Sequence, residues 1–146
     1  MNRGIPSAVL FFCALSANAQ QDPAESKKRS PGLDAFADIC LASAADFTSA
    51  AEKAAAYGIE LMDVGSMKVG TTQDQSLAAQ IKVNSCTVTT PSQRNSKLEE
   101  EFRALVAEFT GSTVATAVPF KVQIGGRNFV VMHDRRDGEA FVLLGS

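Results

Sequence analysis

The chain has 146 residues, 45% of them hydrophobic and 21% charged, with three cysteines, one histidine and no tryptophan. That composition fits one globular domain and excludes a disordered, collagen-like or cysteine-dense chain. Fourteen basic residues against sixteen acidic ones give a net charge of −2, which supplies no general pull towards nucleic acid or anionic lipid.

The N-terminus reads MNRGIPSAVLFFCALSANAQ. Arg3 supplies a positive start, Ile5 to Ala17 an apolar run, and Ala17-Asn18-Ala19 the small residues expected before a cut at Gln20. Residues 1–19 are therefore predicted to be a signal peptide. The run is too short for a membrane anchor, for which about 20 apolar residues are needed, and Pro6 interrupts it. Phe12, not a small residue, precedes Cys13, which argues against a lipid-modified cysteine. The remaining chain has no stretch of spanning length, so the reading is an exported protein, bacterial in style, destined for the periplasm or the extracellular space. Loss of Arg3 leaves 13 basic against 16 acidic residues, a charge of −3. Two cysteines then remain, Cys40 and Cys86, and an even count in an oxidising compartment predicts one disulfide between them.

Residues 20–30 (QQDPAESKKRS) read as a flexible polar leader, and 31–146 as a single domain. Ser30-Pro31 opens a helix, with Leu33, Phe36, Ala37, Cys40 and Leu41 on one apolar face. The stripe can run on, but a break near Ser43–Asp46 is expected, then a second helix that ends at Gly58. Ile59 to Val69 is ambiguous, with Gly65 and Gly70 suggesting turns around a short strand, and 70–77 reads as a loop. Residues 79–88 alternate with period two and read as one strand ended by Pro91. Ser96 and Glu99 form a capping-box pattern ahead of a helix over about 97–110, whose apolar face is Leu98, Phe102, Leu105, Val106 and Phe109. The last third is a meander: 118–124, a Gly125-Gly126 turn, 129–133, an Asp134–Gly138 turn, and 140–144. The sum is an α+β domain, an antiparallel sheet of about four or five strands packed against about three helices.

The patterns tested for chemistry are weak. Gly65 to Thr72 has the glycine spacing of a phosphate-binding loop, but Thr71 stands where the lysine must be. His133 is the only histidine; its neighbour Asp134 points to the opposite face of a strand and is badly placed to orient it. No zinc or calcium signature and no aromatic interleaving for nucleic acid occurs, and no spacing singles out a carboxylate pair. No catalytic residue, metal or cofactor is assigned, and no motif is specific enough to place the chain in a family.

One oddity remains. In the last two strands both faces are apolar, with Phe129, Val131 and His133 opposed to Val130 and Met132, and Phe141 and Leu143 opposed to Ala140, Val142 and Leu144. Either helices cover both faces, or one face buries against a protein partner or a second copy. Val130, Met132, Phe141 and Leu143 are the candidate interface, with Arg135 and Arg136 at the adjoining loop tip. The resulting expectation is a non-enzymatic exported binding, inhibitor or envelope-accessory module acting through its C-terminal strands. The alternatives are an envelope hydrolase using His133 or a carboxylate pair, and a structural subunit of an envelope assembly.

Overall fold

The computed structural model describes residues 29–91 and 95–146. The predicted signal peptide, and the polar leader up to Lys28, lie outside the described residues.

Helix α1 (Pro31–Ile39) starts as its sequence dictates. Ser30 is extended, its hydroxyl accepts from the Leu33 N–H at 3.4 Å, and Pro31 occupies the first helical position. Leu33, Phe36 and Ile39 are buried along its inner face. The expected break follows. A 3₁₀ turn (Leu41–Ser43) leads to Phe47, which takes a left-handed backbone (φ 59°), and α2 (Ala50–Ala56) follows it. Ser43 and Ser49 hydroxyls hydrogen-bond across the break at 3.0 Å, so Ser49 does not cap α2 with its side chain.

Among the described residues, seven antiparallel strands form one sheet in the order β1-β2-β3-β4-β7-β6-β5. They are β1 (Glu60–Val64), β2 (Met67–Thr71), β3 (Ala78–Ile81), β4 (Ser85–Thr90), β5 (Phe120–Ile124), β6 (Arg127–Asp134) and β7 (Glu139–Gly145). The ambiguous stretch 59–69 is thus a hairpin turning at Gly65-Ser66, and it raises the strand count above the four or five expected. The segment predicted as one strand over 79–88 is two, turned at Lys82–Asn84. The turn reverses the side-chain parity: Ala79 and Ile81 are buried, Val83 at the tip is 81% exposed, and Cys86 and Val88 are buried again. A single strand could not have put Ile81 and Cys86 on the same face.

After β4 the chain crosses the sheet as α3 (Leu98–Thr110) and descends to the far edge at β5. The meander then works inwards, so that the last strand, β7, closes against β4. Gly111, left-handed at φ 66°, ends α3 as expected. Its start differs: Asn95, not Ser96, holds the first turn, its side chain accepting from the Lys97 N–H at 2.9 Å.

The three α-helices of the described residues lie on one face of the sheet. Phe36 of α1 and Phe102 of α3 meet edge to face at 5.2 Å and both rest on Phe141 of β7. Phe47 meets Phe129 of β6. These rings are the largest buried side chains, each worth about 1.5–3 kcal/mol on transfer from water. The Cys40–Cys86 disulfide ties the end of α1 to β4 inside this core. Among the described residues no helix is long and apolar enough to cross a membrane.

The loops are held by short carboxylates. Asp74 accepts from Thr72 Oγ1 (2.6 Å), Ser76 Oγ (2.7 Å) and the Ser76 N–H (3.0 Å), and the Thr72 bond leads in drawing its carboxyl down to about 2. A carboxyl depressed by folding stabilises above its unfolded value near 4, and that contribution is lost as pH falls towards 2. Asp74→Asn is therefore expected to lower the urea midpoint at pH 6, with the gap to wild type closing as the pH approaches 2. A gap of constant size at both pH values contradicts the assignment.

Candidate functional site

Two neighbouring features of β6 and β7 carry the chemistry, one on each side of the sheet. Strand register decides what belongs to which. Val131 pairs with Leu143 and His133 with Phe141, and these side chains face the helices. Val130 pairs with Leu144 and Met132 with Val142, and these face away.

The outward side is the candidate binding surface. Val130, Met132, Val142 and Leu144 form a contiguous half-buried apolar patch at the centre of the β6–β7 pair, and no described element covers it. Thr87 and Ser85 of β4 extend it on one side, opposite Val142 and Leu144. Lys121 of β5, opposite Val130, bounds it on the other. Charge enters only at the margins, which is the composition of an apolar centre with a polar rim.

The structure divides the predicted interface between the two faces. Val130 and Met132 lie on the open side, whereas Phe141 and Leu143 are fully buried beneath the helices and belong to the core. The reason is parity. The Asp134–Gly138 turn fixes β7 so that odd-numbered residues of both strands point inwards, and Val142 and Leu144 take the outward places. Among the described residues, helices therefore cover one face and not both.

The inward side holds a polar network built across the β6–β7 hairpin. His133 Nε2–H donates to Glu139 Oε2 at 2.6 Å, with side-chain exposures of 0% and 2%. Glu139 Oε1 accepts from Arg135 Nη2 at 2.9 Å and Nε at 3.2 Å. Arg135 also donates to the Asn95 carbonyl at 3.2 Å, pinning the start of α3 to the hairpin. The Glu139 backbone carbonyl accepts from Thr90 Oγ1 of β4. His133 stacks on Phe141 at 4.9 Å and lies 5.6 Å from Phe102, and its Nδ1 has no partner among the described residues.

Sequence reasoning weighed Asp134 as the partner of His133 and missed Glu139. The signal was the hairpin itself. Glu139 is the diagonal neighbour of His133 across the pair, on the same face, whereas Asp134 is one residue away on the opposite one. Asp134 instead engages Arg136, whose hydrogen bond holds the Asp134 carboxyl down to about 2. Of the two arginines expected at a recognition tip, Arg135 is committed to Glu139, and Arg136, 86% exposed, to Asp134.

The remaining motif is settled by geometry. The glycine pattern at 65–72 is the turn of the β1–β2 hairpin and strand β2, with no helix following it, so it offers no phosphate cradle. A shallow groove of about 340 Å³ lies between Phe47 and Ala51 on one side and Met67, Ile81 and Val83 on the other. Among the described residues no cluster of three or more metal-ligating side chains occurs.

Compared with known proteins, the chain matches no family model, no curated protein and no solved structure.

Proposed function

We propose that this chain is a small exported binding module, without catalysis of its own, that engages a protein partner through the open face of its sheet. The observation that carries the reading is the patch Val130, Met132, Val142 and Leu144: four apolar side chains side by side on the face opposite all three helices. An isolated antiparallel sheet with one wet face alternates apolar and polar residues, and here the wet face is apolar at its centre. The buried Cys40–Cys86 bridge supports export, because such bonds persist in oxidising compartments. The hydrolase reading through His133 loses support: its ring is enclosed by Phe102 and Phe141 and bonded to Glu139, with no approach for a substrate.

The test is site-specific photocrosslinking in an oxidising bacterial envelope. A photoreactive residue at Val142 is expected to give one discrete adduct, while the same label at Glu100, exposed on α3, gives none. Val130→Lys should abolish the Val142 adduct without changing the circular dichroism spectrum. Equal labelling from both positions, or none from Val142, overturns the proposal.

A further inference from the structure

The sheet has two edges, and they are not guarded alike. At β1, Asp63 lies on the helix-side row, largely exposed and paired with Lys68 Nζ at 2.6 Å, a charge that an added strand would have to cover. At β5, the helix-side row is Phe120, Val122 and Ile124, all apolar and half-buried, and the outer row is Lys121 and Gln123, both exposed.

The hydrogen-bond phase of β5 follows from its turn. Gly125 and Gly126 both have positive φ (58° and 80°), a two-residue turn that makes Ile124 and Arg127 a hydrogen-bonded pair. Alternation then commits Phe120, Val122 and Ile124 to β6 and aims the N–H and C=O of Lys121 and Gln123 outwards. Among the described residues these groups have no backbone partner.

We propose that β5 is a homodimerisation edge, at which two copies pair antiparallel about a two-fold axis through Val122. In that register Lys121 faces Gln123 of the second copy, and both pairs are those with outward-pointing backbone groups. Four backbone hydrogen bonds close the edge. On the helix side Val122 meets its own counterpart, and Phe120 meets Ile124 of the second copy, completing an apolar row. No like charges fall opposite one another. Arg103 of α3 donates to the Ala115 carbonyl and ties the loop before β5 to that helix. A five-residue edge is a small interface, so the dimer is weak and reversible. It joins two sheets into one and leaves the Val130–Met132 patches on a common face.

A charge series at position 123 tests the register by sedimentation velocity over a dilution series. Wild type is expected to shift from monomer to dimer with concentration. Gln123→Lys sets a second ammonium against Lys121 of the other copy and is expected to weaken dimerisation about 3–10-fold, from two cross-strand pairs per dimer. Gln123→Glu is expected to strengthen it by a similar factor at low salt and to lose the gain at high salt. Gln123→Pro, which removes only an outward donor, should abolish it while the monomer stays folded. Met132→Lys, on the open face, should leave it unchanged, which separates this edge from the proposed partner surface. A monomer at all concentrations, a dimer indifferent to charge at 123, or one abolished by Met132→Lys overturns the proposal.

Discussion

Glu139→Ala is expected to destabilise the fold by about 3 kcal/mol, read as a drop in the urea midpoint with an unchanged slope. Glu139 sits 1% exposed where β7 starts, with His133 on one carboxylate oxygen and Arg135 on the other. Its loss leaves the His133 ring without a hydrogen-bond partner among the described residues, in an aromatic box, since Nδ1 already has none there. The figure sits at the low end of the range for breaking a buried pair because Arg135, 40% exposed, can return to water. Glu139→Gln keeps an oxygen for the His133 N–H but turns its amide NH2 towards Arg135 and loses both Arg135 hydrogen bonds; with Arg135 able to return to water, it should cost about 1–2 kcal/mol, less than Glu139→Ala. The informative comparison is His133→Phe combined with Glu139→Leu. It removes every polar group of the pair, ring for ring, between Phe102 and Phe141, and should come within about 1.5 kcal/mol of wild type. That result would mark the network as a device that fixes the hairpin register and docks α3 through Asn95, not as a source of net stability. A double variant as unstable as Glu139→Ala would show that the polar contacts themselves stabilise the fold.

The same hairpin shows where the sequence is readable and where it is not. Ser30-Pro31, the Leu33–Phe36–Cys40 stripe and Gly111 are local signals, each satisfied by groups within a few residues, and α1 and the end of α3 follow them. The Gly125-Gly126 and Asp134–Gly138 turns likewise placed the meander. The β1–β2 hairpin is obscure in the sequence because all its residues are exposed or half-buried, so burial imposes no alternation on it. The Lys82–Asn84 turn was invisible because it has neither Gly nor Pro, and Val83 at its tip mimics the alternation of a continuing strand. The candidate site failed for a related reason. Which of Val142 and Leu143 faces a partner depends on a parity that only the strand pairing sets, and both are apolar. Glu139 gave no warning of being buried, since a lone acidic residue at a strand end is ordinarily solvated.

The disulfide gives the other large effect. Cys40 follows α1 and Cys86 lies on β4, 46 residues apart in sequence, with both residues fully buried and their Cα atoms 5.4 Å apart. In the chain-entropy treatment a loop of that length is worth about 4 kcal/mol, so Cys40→Ala with Cys86→Ala should lose about 2–4 kcal/mol. Against a total of about 5–15 kcal/mol for a domain of this kind, that is a large fraction. The bond also closes the contact between α1 and β4, around which Phe36, Phe102 and Phe141 pack, so its loss should loosen the whole helical layer and not one end of it. Burial adds a kinetic consequence. With no surface at either cysteine, a thiol reductant must await an opening of the fold, so reduction in native buffer should be slow and should accelerate steeply across the urea transition. Mass spectrometry after thiol alkylation reads it directly. Reduction as fast in native buffer as in urea would mean that α1 lifts from the sheet without global unfolding, and that the helical layer is a separate, weaker unit.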